Sequence, residues 1–168
     1  MKTTFWICFF AATGLYLVMV LWSLPLISEA AGGDVPFDMR PTGYSGEEAR
    51  AFLTALSDEG RAFYLAVQHR LDSIYPGLLG VTLALGLMLV YRGWVAALGV
   101  VLSAGVALAD YMENMAVATM LRVGPEGVSD AMADAASGWT LLKSGLSTVV
   151  FLALLIGALR IGWRRWLA

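Results

Sequence analysis

Four apolar runs limit what this chain can fold into. They cover residues 5–24, 75–91, 94–121 and 139–160, and each is long enough for a helix to cross a bilayer, which takes about 17–25 residues. Inside lipid every backbone N–H and C=O must find a partner within the protein, so such runs fold as helices. Hydrophobic side chains make up 59% of the chain, above the level of a typical soluble domain. The fold class read from this is an all-α integral membrane protein. It is a four-transmembrane-helix bundle with a long outer loop 1 that contains an amphipathic helix. One domain, 1–168, uses the whole chain: a first span at 5–24, an outer loop and helix at 25–60, a second helix at 61–91, and spans at 94–121 and 139–160.

Charge gives the orientation. Lys2, Arg92, Arg160, Arg164 and Arg165 flank one end of the four spans, whereas all 13 acids lie toward the other end. The positive-inside rule then places both termini and the Arg92-Gly93 turn in the cytoplasm. Tryptophan placement agrees. Trp6, Trp94, Trp163 and Trp166 mark the inner interface, and Trp22 and Trp139 the outer one, as an aromatic belt does. Residues 1–30 also resemble a signal peptide ending at Ser28-Glu29-Ala30. The run at 5–24 exceeds the usual apolar region of such a peptide, so it reads as a retained first helix. Arg far outnumbers Lys, and Ala and Gly are abundant, which points to a bacterial protein of the inner membrane. Cys8 is the only cysteine, so there is no disulfide framework and no thiolate metal site.

Pro25 to Tyr44 is rich in proline and glycine and reads as a loop. Ser45 and Glu48 form a capping box that starts a helix, with Ala51, Phe52, Ala55 and Leu56 as its apolar stripe. Gly60 is expected to break or bend the chain, and the second helix to begin near Arg61. From Arg61 to Tyr91 that helix measures about 46 Å at 1.5 Å per residue. Its first turns, carrying Tyr64, Gln68, His69, Arg70 and Asp72, should project beyond an apolar core of about 30 Å. Pro76 cannot donate to the Asp72 carbonyl and should kink the helix there. A further short helix is expected at 129–136.

The third span carries the cluster Asp110, Glu113 and Asn114, spaced so that the three side chains share a helical face. Ionisable groups at such depth mark a functional-site hypothesis. The small residues Ala96, Gly99, Ser103 and Ala107 allow a neighbouring helix to approach closely, and their face leads on to Asp110 and Asn114. The fourth span has a polar edge of Thr140, Lys143 and Ser147. Counted from the opposite ends of the spans, Asp72, Tyr75, Asp110 and Lys143 all fall about 24–30 Å up their helices. Asp72, Tyr75, Asp110, Glu113, Asn114 and Lys143 therefore form the expected ligand-binding set, surrounding one outward-facing pocket. Lys143 is expected within ion-pair reach of Asp110 or Glu113.

The plainer alternative is an interhelical ion pair that only fixes register. Asp110, Glu113, Lys143 and His69 are the catalytic candidates, although a lone histidine is more often structural. No metal site is assigned: the paired Glu-x-x-His of di-metal bundles is missing, and a hard cation on Asp72, Asp110 and Glu113 is the weaker reading. No cofactor is indicated. Nucleic-acid binding has no support, since the basic residues are few and mostly flank the spans. The layout is similar to that of the claudins, but their loop tryptophan motif and paired cysteines are absent. Acids inside a small helical bundle also occur in the sterol isomerases, with no matching residues here. No family is assigned on topology alone.

Three functions are carried forward. The first is binding of a lipid-like or amphipathic ligand, with the polar cluster at its head and the bundle as its apolar wall. The second is an integral-membrane enzyme using carboxylate acid–base chemistry on a membrane-embedded substrate. The third is an accessory subunit that docks a membrane-protein partner through outer loop 25–60, with Phe52, Leu53 and Leu56 as an exposed patch.

Overall fold

The structure, a computed structural model, describes residues 1–166. Of residues 164–166 it describes the backbone alone, so the side chains of Arg164, Arg165 and Trp166 lie outside the described residues. Every regular element among the described residues is helical. The described residues form four long helices and one short one, α1 (Lys2–Ala30), α2 (Gly46–Ala55), α3 (Asp58–Val90), α4 (Gly93–Val123) and α5 (Asp130–Trp166), with single 3₁₀ turns at Phe37–Met39 and Pro125–Gly127. All but α2 are long and apolar enough to cross a membrane. Leu21, Phe10, Val101, Leu108, Leu155 and Leu159 are among the many large apolar side chains left exposed on these helices. A helix that is apolar on all sides belongs in a lipid-like surrounding or a large core.

The helix starting at Lys2 does not stop at Pro25, where the loop is expected to begin. It runs on to Ala30 through a π-helical turn at Met19–Ser23, in which the Leu24 N–H bonds to the carbonyl of Met19. In a regular α-ladder the ring of Pro25 would press on the carbonyl of Leu21. The wider π turn opens the backbone at that point. Gly60 does not break the chain either. The break falls at Leu56 and Ser57, both extended, and the Ser57 hydroxyl accepts from the Gly60 N–H at 3.1 Å to start α3. Gly60 is instead a packing position, with no room for a side chain beside Ala30. The short helix expected at 129–136 is the first part of α5 and continues into the fourth span.

The segment 31–57 folds as a cap over one end of the bundle. Phe37 packs against Tyr44 and Phe52 with ring centroids 4.8 Å apart in both pairs. The Arg40 guanidinium lies 5.5–5.9 Å from the centres of all three rings, which adds cation–π attraction to their burial. The apolar stripe of α2 is rotated from the expected one. Ala49, Phe52, Leu53 and Leu56 are buried and Ala51 and Ala55 are exposed. With Phe52, Leu53 and Leu56 inside the fold, they form no exposed docking patch.

The capping box at Ser45 has both of its hydrogen bonds. Glu48 N–H donates to Ser45 Oγ at 3.2 Å, and Ser45 N–H donates to the Glu48 carboxylate at 2.7 Å. That second bond holds the Glu48 carboxyl below its ordinary range. Its contribution is present above the usual glutamate range and is lost as pH falls through the lowered value. Ser45→Ala is expected to cost about 1 kcal/mol of cap stability, read as faster amide exchange over residues 46–49. Unchanged exchange would disprove the role of the cap.

The larger buried core lies beneath this cap, around Ile27, Phe37, Phe52, Leu53, Met120 and Leu121. The terminal half of the bundle has a much smaller one, Leu83, Leu87, Val106 and Val150. The stripe of small residues on α4 packs on α3. A side chain at Gly80 would come within 3.0 Å of the Ala107 Cβ and 3.2 Å of the Ser103 carbonyl oxygen. Helix α3 is the hub, packing on α4, α5 and α1. Helices α1 and α5 share no such packing interface, and a gap remains between them.

Candidate functional site

The site begins with a broken turn. Pro76 leaves the Asp72 carbonyl without its helical donor, and Asn114 Nδ2 donates to that carbonyl at 3.1 Å. One position on, Tyr111 Oη accepts from the Gly77 N–H at 3.1 Å and donates to the Ser73 carbonyl at 3.3 Å. The tyrosine hydroxyl thus stands inside the i→i−4 ladder of α3, a recognised cause of a kink. Tyr111 and Asn114 are three residues apart on α4, so one face of that helix repairs two consecutive defects. Without these donors the kink would leave backbone groups unsatisfied away from water.

Lys143 on α5 reaches both acids of α4. Its Nζ lies 3.3 Å from Asp110 Oδ1 and forms a close ion pair with Glu113 Oε2. The Thr140 hydroxyl, one turn before Lys143, donates to Glu113 Oε1 at 2.6 Å. All three charged side chains are shielded from solvent, with exposures of 20% for Lys143, 7% for Asp110 and 2% for Glu113. A carboxylate so deeply buried stays ionised only when paired and hydrogen-bonded, and Glu113 has both kinds of partner.

Asp72 is held from its own helix. Gln68 Nε2 donates to Asp72 Oδ2 at 2.7 Å, while Gln68 Oε1 accepts from Ser23 Oγ at 2.5 Å. The Gln68 amide also approaches the Met19 sulfur at 3.6 Å. Gln68 ends a second π turn, Tyr64–Gln68, which packs against the first one at Met19–Ser23. Such turns recur at functional sites. Tyr64, at the start of this turn, makes a short hydrogen bond to Asp38 of the cap. In the first turns of α3 Arg70 is exposed and His69 half-buried, whereas the face bearing Tyr64, Gln68 and Asp72 is covered. Tyr64, Gln68 and Asp72 recur every fourth residue and are buried together beneath the cap. Burial pushes the Tyr44 hydroxyl above its ordinary range, with the charges of Glu113 and Asp38 adding to the effect.

Between these groups lies a polar cavity of about 350 Å³. Its charged and polar walls include Asp38, Gln68, Asp72, Asp110, Lys143, Ser144 and Ser147, and Met19, Val20 and Leu24 are among its apolar ones. Beside it an apolar cavity of about 670 Å³ fills the gap between α1, α3 and α5, with walls such as Phe5, Phe9, Leu83 and Leu154. Tyr16, Tyr75, Leu79 and Phe151 line both. Rings 16 and 75 stack there at 6.1 Å. Volumes of about 300–1,000 Å³ are usual for small-molecule sites.

Of the expected set, Asp72, Tyr75, Asp110 and Lys143 line the polar cavity. Glu113 and Asn114 stand behind it, holding Lys143 and the α3 kink. His69 is half-buried and lies on neither cavity. Sequence reasoning left Asp38, Ser23 and Tyr111 out of the site. Tyr111 had a signal, since a donor three residues before Asn114 faces the same proline kink. Asp38 had none, because a loop residue reaches the site only through the folding of the cap. Among the described residues no three His, Cys, Asp or Glu side chains converge as a metal site requires. The chain matches no protein-family model, no curated protein and no solved structure.

Proposed function

We propose that this is a small bacterial inner-membrane protein, with both termini in the cytoplasm, that binds a lipid-like or amphipathic ligand. The observation carrying this reading is that a polar cavity and a larger apolar cavity share the walls Tyr16, Tyr75, Leu79 and Phe151. An amphiphile presents that same division. Its head would meet Asp72, Asp110 and Lys143, and its chain would lie in the gap between α1 and α5. That gap is bordered by exposed apolar helix surfaces, which offers a lateral path from the bilayer. The cluster is more than a register device, because Asp72 and Asp110 border open space rather than being closed off by their partners.

Native mass spectrometry of protein released from lipid nanodiscs tests the reading. The expected result is a retained amphiphile on the wild-type protein and its loss from Leu79→Trp, which fills the junction of the two cavities. Equal retention by wild type and variant, or no bound amphiphile on either, would overturn it.

A further inference from the structure

We propose that the polar cavity selects a cationic headgroup, so that the ligand is an amphiphile bearing an amine or quaternary ammonium. This deepens the reading above and rests on it.

The argument starts from charge. Asp38, Asp72 and Asp110 line the cavity, and Lys143 is the only basic residue among its walls. That one ammonium is shared between Asp110 and Glu113, so it does not offset the other two acids. Asp38 and Asp72 line the same cavity. A proton on either of those two carboxyls still leaves the carboxylates in excess of the one ammonium.

Hydrogen bonding points the same way. Each lining carboxylate has one oxygen with a donor: Asp38 Oδ2 from Tyr64, Asp72 Oδ2 from Gln68 and Asp110 Oδ1 from Lys143. Only the last of these three donors is charged. Asp72 and Asp110 are more than nine-tenths buried, at 7% and 5% exposure. Buried carboxylate oxygens call for donors or positive charge, and an anionic head would face like charge in a low-dielectric site. The stacked rings of Tyr16 and Tyr75, at the neck between the cavities, add aromatic faces that attract a cation. The apolar cavity beneath them takes the chain.

Three probes with the same chain separate the terms: dodecyltrimethylammonium, dodecyl maltoside and dodecyl phosphate. Their affinities for the full-length protein in nanodiscs can be read by intrinsic tryptophan and tyrosine fluorescence. The cationic probe is expected to bind at least about tenfold more tightly than the anionic one, a difference of about 1.4 kcal/mol. Asp72→Asn should reduce that preference while leaving affinity for the maltoside unchanged. Asp38→Asn, on the cap and outside the bundle, gives the same comparison should Asp72→Asn fail to fold. Equal binding of the three probes, or preference for the phosphate, overturns the cationic selection and leaves amphiphile binding standing. Absence of binding by all three overturns both.

Discussion

Lys143→Met is expected to destabilise the protein by about 3–5 kcal/mol, the usual cost of removing one partner from a buried ion pair. This is a large share of a total stability of about 5–15 kcal/mol. The variant leaves Asp110 and Glu113 facing one another's charge with no cation between α4 and α5. The two second-site changes should then differ. Glu113→Gln in the Lys143→Met background should recover more stability than Asp110→Asn, because Glu113 is the deeper group and keeps the Thr140 hydroxyl as donor. Asp110 borders the cavity, so solvent there can relieve part of its charge. Unfolding in a lipid-like medium measures the cycle. A Lys143→Met protein as stable as wild type would disprove the pairing energetics.

The second expected result concerns the kink in α3. Asn114→Ala should cost about 1–3 kcal/mol in the native chain by leaving the Asp72 carbonyl unsatisfied. In a Pro76→Ala background the same change should cost markedly less, because an alanine N–H at 76 can return to that carbonyl. The two substitutions should therefore couple by about 0.5–3 kcal/mol. Costs that simply add would show that Asn114 is there for another reason. Tyr111→Phe is a companion test. It removes the hydroxyl bonded to Gly77 and Ser73 and should lower stability without touching the charges of the cavity.

Much of the architecture is legible in the residues alone. The four apolar runs predict four long helices, because backbone polar groups surrounded by hydrocarbon leave no other open choice. The spacing of Asp110, Glu113 and Asn114 places them on one face, and that face is buried. The Ser45–Glu48 box is a local interaction within four residues, and it is formed. The failures share a cause. Pro25 and Gly60 are local breakers by propensity, yet a π turn accommodates the first and contact with Ala30 explains the second. Neither the turn nor the contact is written in the adjacent residues.

The sequence by itself determined the helices, the face on which each polar group emerges and the level at which those groups meet. These follow from hydrophobic run length and helical period, which are properties of neighbouring residues. Only the tertiary structure decided that segment 31–57 closes over the site, that Asp38 joins Asp72 and that Glu113 and Asn114 stand behind the cavity. It also decided that α1 and α5 stay apart, leaving the apolar gap beside the carboxylates. Those outcomes depend on the rotation and separation of helices. Contacts between residues far apart in the chain set both, and no short-range pattern encodes them.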